Sequence, residues 1–233
     1  MPHAEAMAAA EAAFRRAASG GAGKVGGSVR VTASEIMACE VLPPVLARFC
    51  AAHPAIEVEL AVSNSVQDLL RRDADIAVRT RRPQQQAVIA KRIGARTIGL
   101  YAHRAYIRAR GLPKTLEELS GHRLIGFDRD ATSFGAVGAS GAAFPREIFG
   151  FRTDSDPAQL AALRAGVGIG GCQDAIAAGD RNLVPVLSGV VAFKVEIWIA
   201  MHEDLRATKR VRLMFDHLAR ALSSLSGMAR NEP

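Results

Sequence analysis

Small hydroxyl, carboxyl and cationic side chains cluster at the points where predicted β-strands of this sequence end. The residues concerned are Ser34 and Glu35, Ser65, Arg79 and Thr80, and Asp128, which follows the aromatic Phe127. In open α/β sheets, ligands collect beyond the carboxyl ends of strands, where the first amides of the following helices are free to donate. As a set, these strand ends predict a cleft for a small polar or anionic molecule held between two lobes. For any single hydroxyl, a simple helix cap is the alternative interpretation.

Residue patterns that would indicate catalysis or a bound metal are missing from the sequence. The six histidines never fall into H-E-x-x-H spacing, no G-x-S-x-G segment occurs, and the three cysteines show no C-x-x-C spacing. Glu117 and Glu118 stand side by side at a predicted helix start, where capping explains them better than acid–base chemistry. We therefore predict no catalytic residue, no metal site and no cofactor. Cys50 and Cys172 lie among apolar residues and are predicted to be buried.

The glycine-rich segment GVGIGG, Gly166–Gly171, superficially matches a dinucleotide-binding fingerprint. It follows a predicted helix instead of a strand, which reverses the order that such a fingerprint requires. Gly166 is better explained as the residue that ends the preceding helix, and the segment as a second turn of the βα repeat. The glycines that follow, including Gly170, are expected to permit close packing.

The chain is basic, with a formal net charge of +7. The arginines are spread along the whole sequence and aromatic residues make up only 5%, so an arginine-rich solvated surface is favoured over a base-stacking DNA-binding face. No apolar run approaches the roughly 20 residues that span a bilayer. The N-terminal segment also lacks the apolar core of a signal peptide. These features predict a soluble cytoplasmic protein without membrane contact.

Hydrophobic periodicity predicts a βα repeat from Ser28 onward, after an Ala-rich helix over Ala4–Ala18 and a flexible break. Predicted strands cover Val29–Thr32, Ile56–Val62, Ile76–Val78, Val88–Arg92, Thr97–Ala102, His122–Phe127 and Glu147–Phe151, with LVPVL and VEIWIAMHE as late strands. Predicted helices cover Leu42–His53, a segment from Asn64 or Ser65, Arg104–Arg110, a segment from Asp156 to Gly166, and about Thr208–Leu225. This pattern predicts an α/β fold of two similar lobes, each a mostly parallel sheet flanked by helices.

Five segments of the sequence carry a pattern in their order and spacing: GSVRVTASEIMACEVLPPVLARFCAAHPAIEVEL, DLLRRDADIAVRTRRP, LYAHRAYIRARGLP, DSDPAQLAALRAGVGIG and WIAMHEDLRATKRVRLMFDHLARAL. Taken together, these segments resemble LysR-type transcriptional regulators. The resemblance covers nearly the whole chain from Ser28 to Leu225. It implies an effector-binding regulatory domain with a type 2 periplasmic-binding-protein-like fold, in which two crossover strands join two lobes.

The resemblance also implies how the chain is divided and what it binds. It implies a linker helix and flexible break (1–27), a first lobe (28–98, completed by 198–226), a second lobe (99–197) and a tail (227–233). A homodimer or tetramer that binds a small-molecule effector, and is not an enzyme, is expected. Family members contact DNA through a helix-turn-helix domain of about sixty residues, which this sequence does not show. DNA binding is therefore expected only through such a domain, absent from this chain.

Effector-binding positions follow from matching the segments to the family. They are Ser34 and Glu35 for the first contact, Ser65 for the second, Arg79 and Thr80 near the rim, and Phe127, Asp128 and Gly170 in the second lobe. An acidic Glu35 beside an anionic ligand would select an amine-bearing effector or point away. Two alternatives of other classes stay open at this point: a solute-binding protein of a transporter, which should carry an export signal, and a small-molecule enzyme.

Overall fold

The computed structural model of the 233-residue chain describes residues 25–64, 74–83, 88–129 and 144–228. The chain forms two compact units, residues 25–94 with 196–228 (unit 1) and residues 95–195 (unit 2). It passes from one unit to the other within two long strands, Val88–His103 (β4) and Ala192–His202 (β9). The predicted helix Ala4–Ala18 lies outside the described ranges. The helix predicted to begin at Asn64 or Ser65 also lies outside them, although Asn64 itself is described.

A mixed sheet lies at the centre of unit 1. Its first three strands are Gly27–Ala33 (β1), Ile56–Val62 (β2) and Ile76–Arg79 (β3). β1 pairs in parallel with both β2 and β3, and β9 pairs antiparallel with β3, which gives the order β2-β1-β3-β9. Because β1 and β3 are parallel neighbours, the chain segments that follow them leave the sheet at the same edge.

Two helices cover one face of the unit 1 sheet. They are Leu42–Ala52 (α1), with Pro43 and Pro44 in its first turn, and the C-terminal helix Lys209–Met228 (α5). The core contains the strand side chains Val29, Val31, Ile76, Val78, Ile197 and Ile199, packed against Leu42, Val45 and Phe49 of α1 and Val211, Met214, Phe215 and Leu218 of α5. The helix predicted over about Thr208–Leu225 is therefore present, and its apolar side chains face the core. No helix in the described ranges is long and apolar enough to cross a membrane.

Unit 2 also combines parallel and antiparallel strands with helices, and it includes β4 from Ala95 onward. Its strands are Leu124–Gly126 (β5), Phe149–Arg152 (β6), Ile169–Gln173 (β7) and Leu183–Val186 (β8). β5 pairs in parallel with β6 and β7, while β4 pairs antiparallel with β7 and β8. The helices are Arg104–Arg110 (α2), Asp156–Arg164 (α3) and Asp174–Ala178 (α4), and a 3₁₀ helix covers Glu117–Gly121.

Several predicted boundaries are confirmed and others are wrong. The strand Ile56–Val62 and the helix Arg104–Arg110 match residue for residue. The two strands predicted around Val88–Arg92 and Thr97–Ala102 are one continuous strand, because strand pairing outweighs the weak β propensity of the intervening glycine. The glycine-rich segment is a turn only at its start, and Ile169–Gln173 forms β7 between β4 and β5.

The helix after β1 begins earlier than predicted. The segment 35–52 is helical throughout, and Met37–Val41 forms a π-helical turn ahead of α1. Cys172 is buried as predicted, whereas Cys50 is exposed. Cys50 follows Phe49, which points into the core, and one residue along a helix rotates the side chain by about 100°. The thiol therefore faces away from the sheet.

Candidate functional site

Arg79 and Thr32 meet at the carboxyl-terminal edge of the unit 1 sheet. The Arg79 side chain, 8% exposed, donates from Nη2 to Thr32 Oγ1 at 3.0 Å and from Nη1 to the Val78 carbonyl at 3.2 Å. Thr32 itself is 1% exposed. Fixed acceptors hold a planar guanidinium in one orientation. The structure therefore brings a predicted cation together with a hydroxyl near the end of a different strand.

The ends of β1 and β2 are joined at the same edge. The Ser63 amide donates to the Ala33 carbonyl at 2.9 Å, and the Glu35 amide donates to Asn64 Oδ1 at 3.1 Å. Asn64, two residues after the end of β2, therefore caps the helical segment that follows β1. Polar groups from three strand ends thus converge, as the sequence pattern predicts.

Ser34 differs from Thr32 and Arg79 in the hydrogen bonding of its side chain. Its backbone carbonyl accepts the Ala38 amide at 2.9 Å, which places it at the start of the helical segment 35–52. The residue is 8% exposed, and its Oγ atom is buried without a hydrogen-bond partner in the described part of the chain. The helix start adds a partial positive charge at this point. The combination is suited to hold an oxyanion.

The remaining unit 1 predictions lie at the periphery of this edge or outside the described ranges. Thr80 directly follows Arg79 and is partly exposed, as is the Glu35 side chain. Ser65 lies outside the described residues, and its contact with an effector stays a prediction.

Sequence reasoning missed an aromatic and charged cluster on β9. Trp198, the only tryptophan in the sequence, stands opposite Arg79 in the β3–β9 pair. Its indole N–H donates to Glu196 Oε2 at 2.9 Å, and Arg92 Nε donates to Glu196 Oε1 at 2.7 Å. The Arg82 guanidinium carbon lies 5.6 Å from the Trp198 ring centroid, within cation–π range. A lone tryptophan two residues after a glutamate, in a chain poor in aromatics, is the signal that could have indicated it.

The charge of Glu196 is stabilised by this cluster. The hydrogen bond from Trp198, reinforced by the hydrogen bond and the charge of Arg92, holds the pKa of Glu196 below its usual 4.5. The carboxylate is therefore ionised at neutral pH. It offsets part of the positive charge that Arg82 and Arg92 bring to this region of the sheet.

In unit 2, Phe127 and Asp128 lie together at the carboxyl end of β5. The Asp128 carboxylate forms an ion pair with Arg146, whose Nε also donates to the Asp128 carbonyl at 2.8 Å. The amides of Asp128 and Arg129 both donate to Asp154 Oδ1 at 2.9 Å. Phe127 packs against the core of unit 2. Asp128 thus lies at a strand end with its carboxylate paired to Arg146, and its contact with an effector stays a prediction.

Gly170 does not lie at a strand end. It occupies the interior of β7, opposite Tyr101 of β4 and Ile125 of β5. A Cβ atom at this position would lie 3.2 Å from the Ile125 Cβ. The absence of a side chain therefore serves packing between neighbouring strands.

Gln173, which ends β7, is a buried polar residue that sequence reasoning missed. It is 5% exposed, and its Oε1 atom is buried without a hydrogen-bond partner among the residues that the structure describes. The same strand-end rule would have indicated it, had Ile169–Gln173 been assigned as a strand.

The next residue, Asp174, belongs to a separate, partly buried pair. The Tyr101 hydroxyl donates to Asp174 Oδ1 at 2.9 Å. Burial, followed by the hydrogen bond and charge of Asp174, raises the pKa of Tyr101 well above its usual 10.0. Within the described ranges, no three His, Cys, Asp or Glu side chains are grouped so that they could hold a metal ion.

Solved structures with the same architecture define the class of the fold. The regulatory domain of CrgA from Neisseria meningitidis, a LysR-type transcriptional regulator, matches with a TM-score of 0.77 and 23% identity, over 84% of this chain and 99% of that chain. Full-length AphB of Vibrio cholerae matches with a TM-score of 0.72 and 22% identity, over 93% of this chain and 74% of that one. The predicted α/β fold of the two-lobed, periplasmic-binding-protein-like class is confirmed.

The family follows from the sequence match. The profile of the LysR substrate binding domain matches residues 22–223, and the chain therefore belongs to this family. The HTH-type transcriptional regulator CrgA of Neisseria meningitidis serogroup C is 26% identical over 205 residues, covering 85% of this chain and 68% of that protein. The HTH-type transcriptional activator AaeR of Escherichia coli K12 is 26% identical over 148 residues, covering 61% and 47%.

These matches confirm the predicted identity of the chain as the substrate-binding domain of a LysR-type transcriptional regulator. The alternative of a transporter solute-binding protein receives no support from them. The relatives are transcriptional regulators and not enzymes.

Proposed function

We propose that this domain binds a small polar or anionic metabolite and transmits its presence within an oligomeric cytoplasmic regulator. The observation that supports this best is the buried Ser34 hydroxyl, which has no hydrogen-bond partner in the described ranges. An unsatisfied buried polar group costs roughly 1–3 kcal/mol of folding free energy. A ligand that accepts a hydrogen bond from Ser34 would remove this cost.

The chemistry around Ser34 favours an oxyanion such as a carboxylate. The Ser34 hydroxyl can donate, and the start of the helical segment 35–52 contributes a partial positive charge. Arg79 adds a guanidinium fixed by Thr32 at the same edge of the sheet. The partly exposed Glu35 favours a ligand that also carries a hydrogen-bond donor.

Each predicted site residue takes a role in this proposal. Ser34 contacts the anionic group, Arg79 provides the nearby positive charge, and Glu35 and Thr80 border the ligand on unit 1. Ser65 stays a predicted contact of the same unit.

In unit 2, Phe127 and Asp128 stay predicted effector contacts. Phe127 offers an apolar surface at the end of β5, and Arg146 fixes the Asp128 carboxylate there. The interior position of Gly170 favours a packing role over direct contact.

Regulation requires the metabolite to bind two states of the protein unequally. A coupling free energy of about 1–3 kcal/mol would change affinity for a second partner roughly 5- to 150-fold. We propose that the second partner is DNA, contacted by a helix-turn-helix domain of a dimeric or tetrameric regulator and not by this domain. No substrate turnover is expected.

A thermal-shift screen of metabolites against the wild-type domain and the Ser34→Ala variant tests the proposal. A ligand present at about 100 times its Kd adds roughly 2.7 kcal/mol of stability, which raises Tm by about 5–10 °C for a domain of this size. Ser34→Ala should lose most of this shift while the ligand-free variant keeps or slightly raises its Tm. The control is Ser224→Ala, on the exposed side of α5, where the hydroxyl bonds only within the helix.

Two results would contradict the proposal. One is the absence of any stabilising metabolite in a broad screen of wild-type protein. The other is a set of stabilising metabolites whose shifts are the same for the Ser34→Ala, Ser224→Ala and wild-type domains.

A further inference from the structure

A basic and apolar surface lies on α2 and on the turn that follows it in unit 2. Four cationic side chains are exposed there, and two leucines are 50% and 42% exposed. Four residues of extended chain span at most about 14 Å, so the two leucines lie within reach of one bound peptide. This set, named here the α2 surface, consists of Arg104, Arg108, Arg110, Leu112, Lys114 and Leu116.

The two exposed leucines contrast with the apolar residues around them. Pro113, which lies between them, is buried, and Leu119 in the following 3₁₀ helix is 3% exposed. Tyr106 and Ile107 of α2 pack against the core of unit 2. The core therefore takes its apolar side chains from α2 and from the turn, and it leaves the two leucines in solvent. Exposed apolar side chains that lie together form a surface that a partner can cover.

The four cations of the α2 surface form no ion pair within the part of the chain that the structure describes, unlike Arg146 of the same unit. Arg108 and Arg110 stand in the last turn of α2, where the helix end favours positive charge. Arg104 begins the helix and Lys114 lies beyond it, so the helix end explains neither of them. The positive charge of this surface therefore exceeds what the fold requires.

The acidic residues beside the α2 surface are bound within their own turn. Glu118 Oε2 accepts the Lys114 amide at 2.8 Å, and Thr115 Oγ1 accepts the Glu118 amide at 3.4 Å. A hydrogen bond with Thr115 holds the pKa of Glu117 below its usual 4.5. Two carboxylates thus stand against four cations, and the surface keeps a net positive charge.

The α2 surface and Phe127 lie at opposite edges of the unit 2 sheet. α2 follows β4, whose residue Ala102 stands opposite Ile169, the first residue of β7. Phe127 follows the end of β5, which runs parallel to β7. Strands rise about 3.3 Å per residue, so the length of β7 separates the two edges by roughly 13 Å or more. The α2 surface is therefore distinct from the predicted effector contacts of this unit.

We propose that the α2 surface binds an acidic segment of a partner protein. Carboxylates of that segment pair with the four cations, and its apolar side chains cover the two leucines. Charge complementarity of this kind selects a partner and speeds association. A second copy of the same surface would bring like charges together, which opposes self-association through it.

Two other classes of partner fit the observations less well. Nucleic acid would pair its phosphates with the cations and leave the leucines in water. A membrane-surface helix turns an apolar face outward, whereas Tyr106 and Ile107, the large apolar residues of α2, face the core of unit 2. An acidic peptide with apolar side chains uses both parts of the surface.

Fluorescence anisotropy with the full chain tests the proposal. The probe is a fluorescein-labelled peptide of four Glu-Glu-Leu-Leu repeats. Two matched probes replace every Glu by Lys or every Leu by Ser. Wild-type protein should bind the first probe at least tenfold more tightly than either matched probe, because charge and apolar contact act together. Raising the NaCl concentration from about 50 to about 300 mM should weaken binding, since exposed charge pairs are screened.

Two double variants remove the two parts of the surface separately. Leu112→Ser with Leu116→Ser removes the apolar contact, and Arg108→Gln with Arg110→Gln removes two of the cations. Each double variant should raise Kd for the Glu-Leu peptide at least tenfold. The circular dichroism spectrum should stay unchanged, because all four side chains are exposed.

A matched control removes one cation and one apolar side chain elsewhere in unit 2. Arg152 ends β6 and is exposed, and Val190, after β8, is 48% exposed. Arg152→Gln with Val190→Ser should bind the Glu-Leu peptide like wild type.

Three results would overturn the proposal. The first is no binding of the Glu-Leu peptide to wild-type protein up to about 1 mM. The second is the same Kd for wild type, both surface variants and the control. The third is a loss, in the surface variants, of binding to double-stranded DNA or to phosphatidylglycerol vesicles with peptide binding intact, which would assign the surface to nucleic acid or to membrane. Weaker peptide binding in both surface variants, with the control unchanged, supports the proposal.

Discussion

The carboxyl-terminal edges of the two sheets use their polar residues in different ways. In unit 1, polar groups from separate strands bond to one another, as Arg79 does to Thr32 and Glu35 to Asn64. In unit 2, the predicted contact Asp128 is bound by Arg146. Each edge nevertheless holds one buried polar atom without a partner in the described residues, Ser34 Oγ and Gln173 Oε1. The two edges are therefore alike in holding an unmet hydrogen bond, although they pair their other polar groups differently.

The largest expected effect is a loss of stability in unit 2, where the glycine segment 166–171 packs closely against the neighbouring backbone. A Cβ atom at Gly168 would lie 2.2 Å from the Arg123 carbonyl oxygen, which is backbone and cannot rotate away. Gly168→Ala should destabilise unit 2 by about 3 kcal/mol or more. Urea unfolding followed by circular dichroism measures the change. Gly121→Ala is the control, since no atom lies within 4 Å of its added Cβ; equal stability of the two variants would contradict the packing role.

The next effect concerns the bonded pair of unit 1. Thr32→Val removes the acceptor of the buried Arg79 guanidinium and keeps the shape of the side chain. A hydrogen bond to a charged group is worth about 1.5–3 kcal/mol, so the variant should lose a similar amount of stability. Unfolding followed by Trp198 fluorescence reports on this unit directly. Thr32→Ser keeps the hydroxyl and should lose much less; a Thr32→Val variant as stable as wild type would show that the bond is not structural.

A smaller effect is expected for the titration of Tyr101. Because its folded-state pKa is raised, the stability contributed by this group is fully present below the usual value of 10.0 and is lost as pH rises through the higher folded value. Asp174→Asn should lower the pKa of Tyr101 only partly, since burial is the larger cause. Ultraviolet titration of the phenolate measures this, and Tyr101→Phe identifies its signal. A pKa that is unchanged in Asp174→Asn would exclude the hydrogen bond as a cause.

The smallest effect concerns Glu196, which is partly exposed. Its pKa is held below the usual 4.5, so the stability that it contributes is present above that value and is lost as pH falls through the lower folded value. Trp198 emission should stay constant on acidification to 4.5 and change only below it. Arg92→Met should shift the change toward higher pH. An emission change centred at the usual value in both proteins would contradict the paired arrangement.

Much of the fold could be predicted from the sequence, because hydrophobic periodicity and the proline or polar residues at the ends of elements are local signals. The strand Ile56–Val62 alternates, and Pro54 before it and the polar Ser63 after it mark its limits. The helical residues before Leu42 were missed because a π-helical turn has no periodicity signal of its own. β7 was missed because glycines carry no apolar pattern, although its neighbours β4 and β5 hold it as a strand.

The candidate site could be predicted only in part, for a related reason. Strand ends are visible in a sequence, and the structure places Ser34, Arg79 and Asp128 at strand ends, while their contact with an effector stays a prediction. Which of them bond to each other depends on side chains brought together from distant segments, such as Arg146 and Asn64. Gln173 was not predicted as a buried strand-end residue because the strand that it ends, β7, was not predicted.

The most direct measurement is isothermal titration calorimetry of the strongest stabilising compound from the screen against wild-type, Ser34→Ala and Ser224→Ala domains. Loss of one hydrogen bond to a charged ligand group should weaken binding by about 1.5–3 kcal/mol, which corresponds to roughly a 10- to 150-fold higher Kd for Ser34→Ala. The Ser224→Ala domain should bind like wild type. Identical Kd values for all three domains would contradict the claim that the buried serine hydroxyl is reserved for an effector.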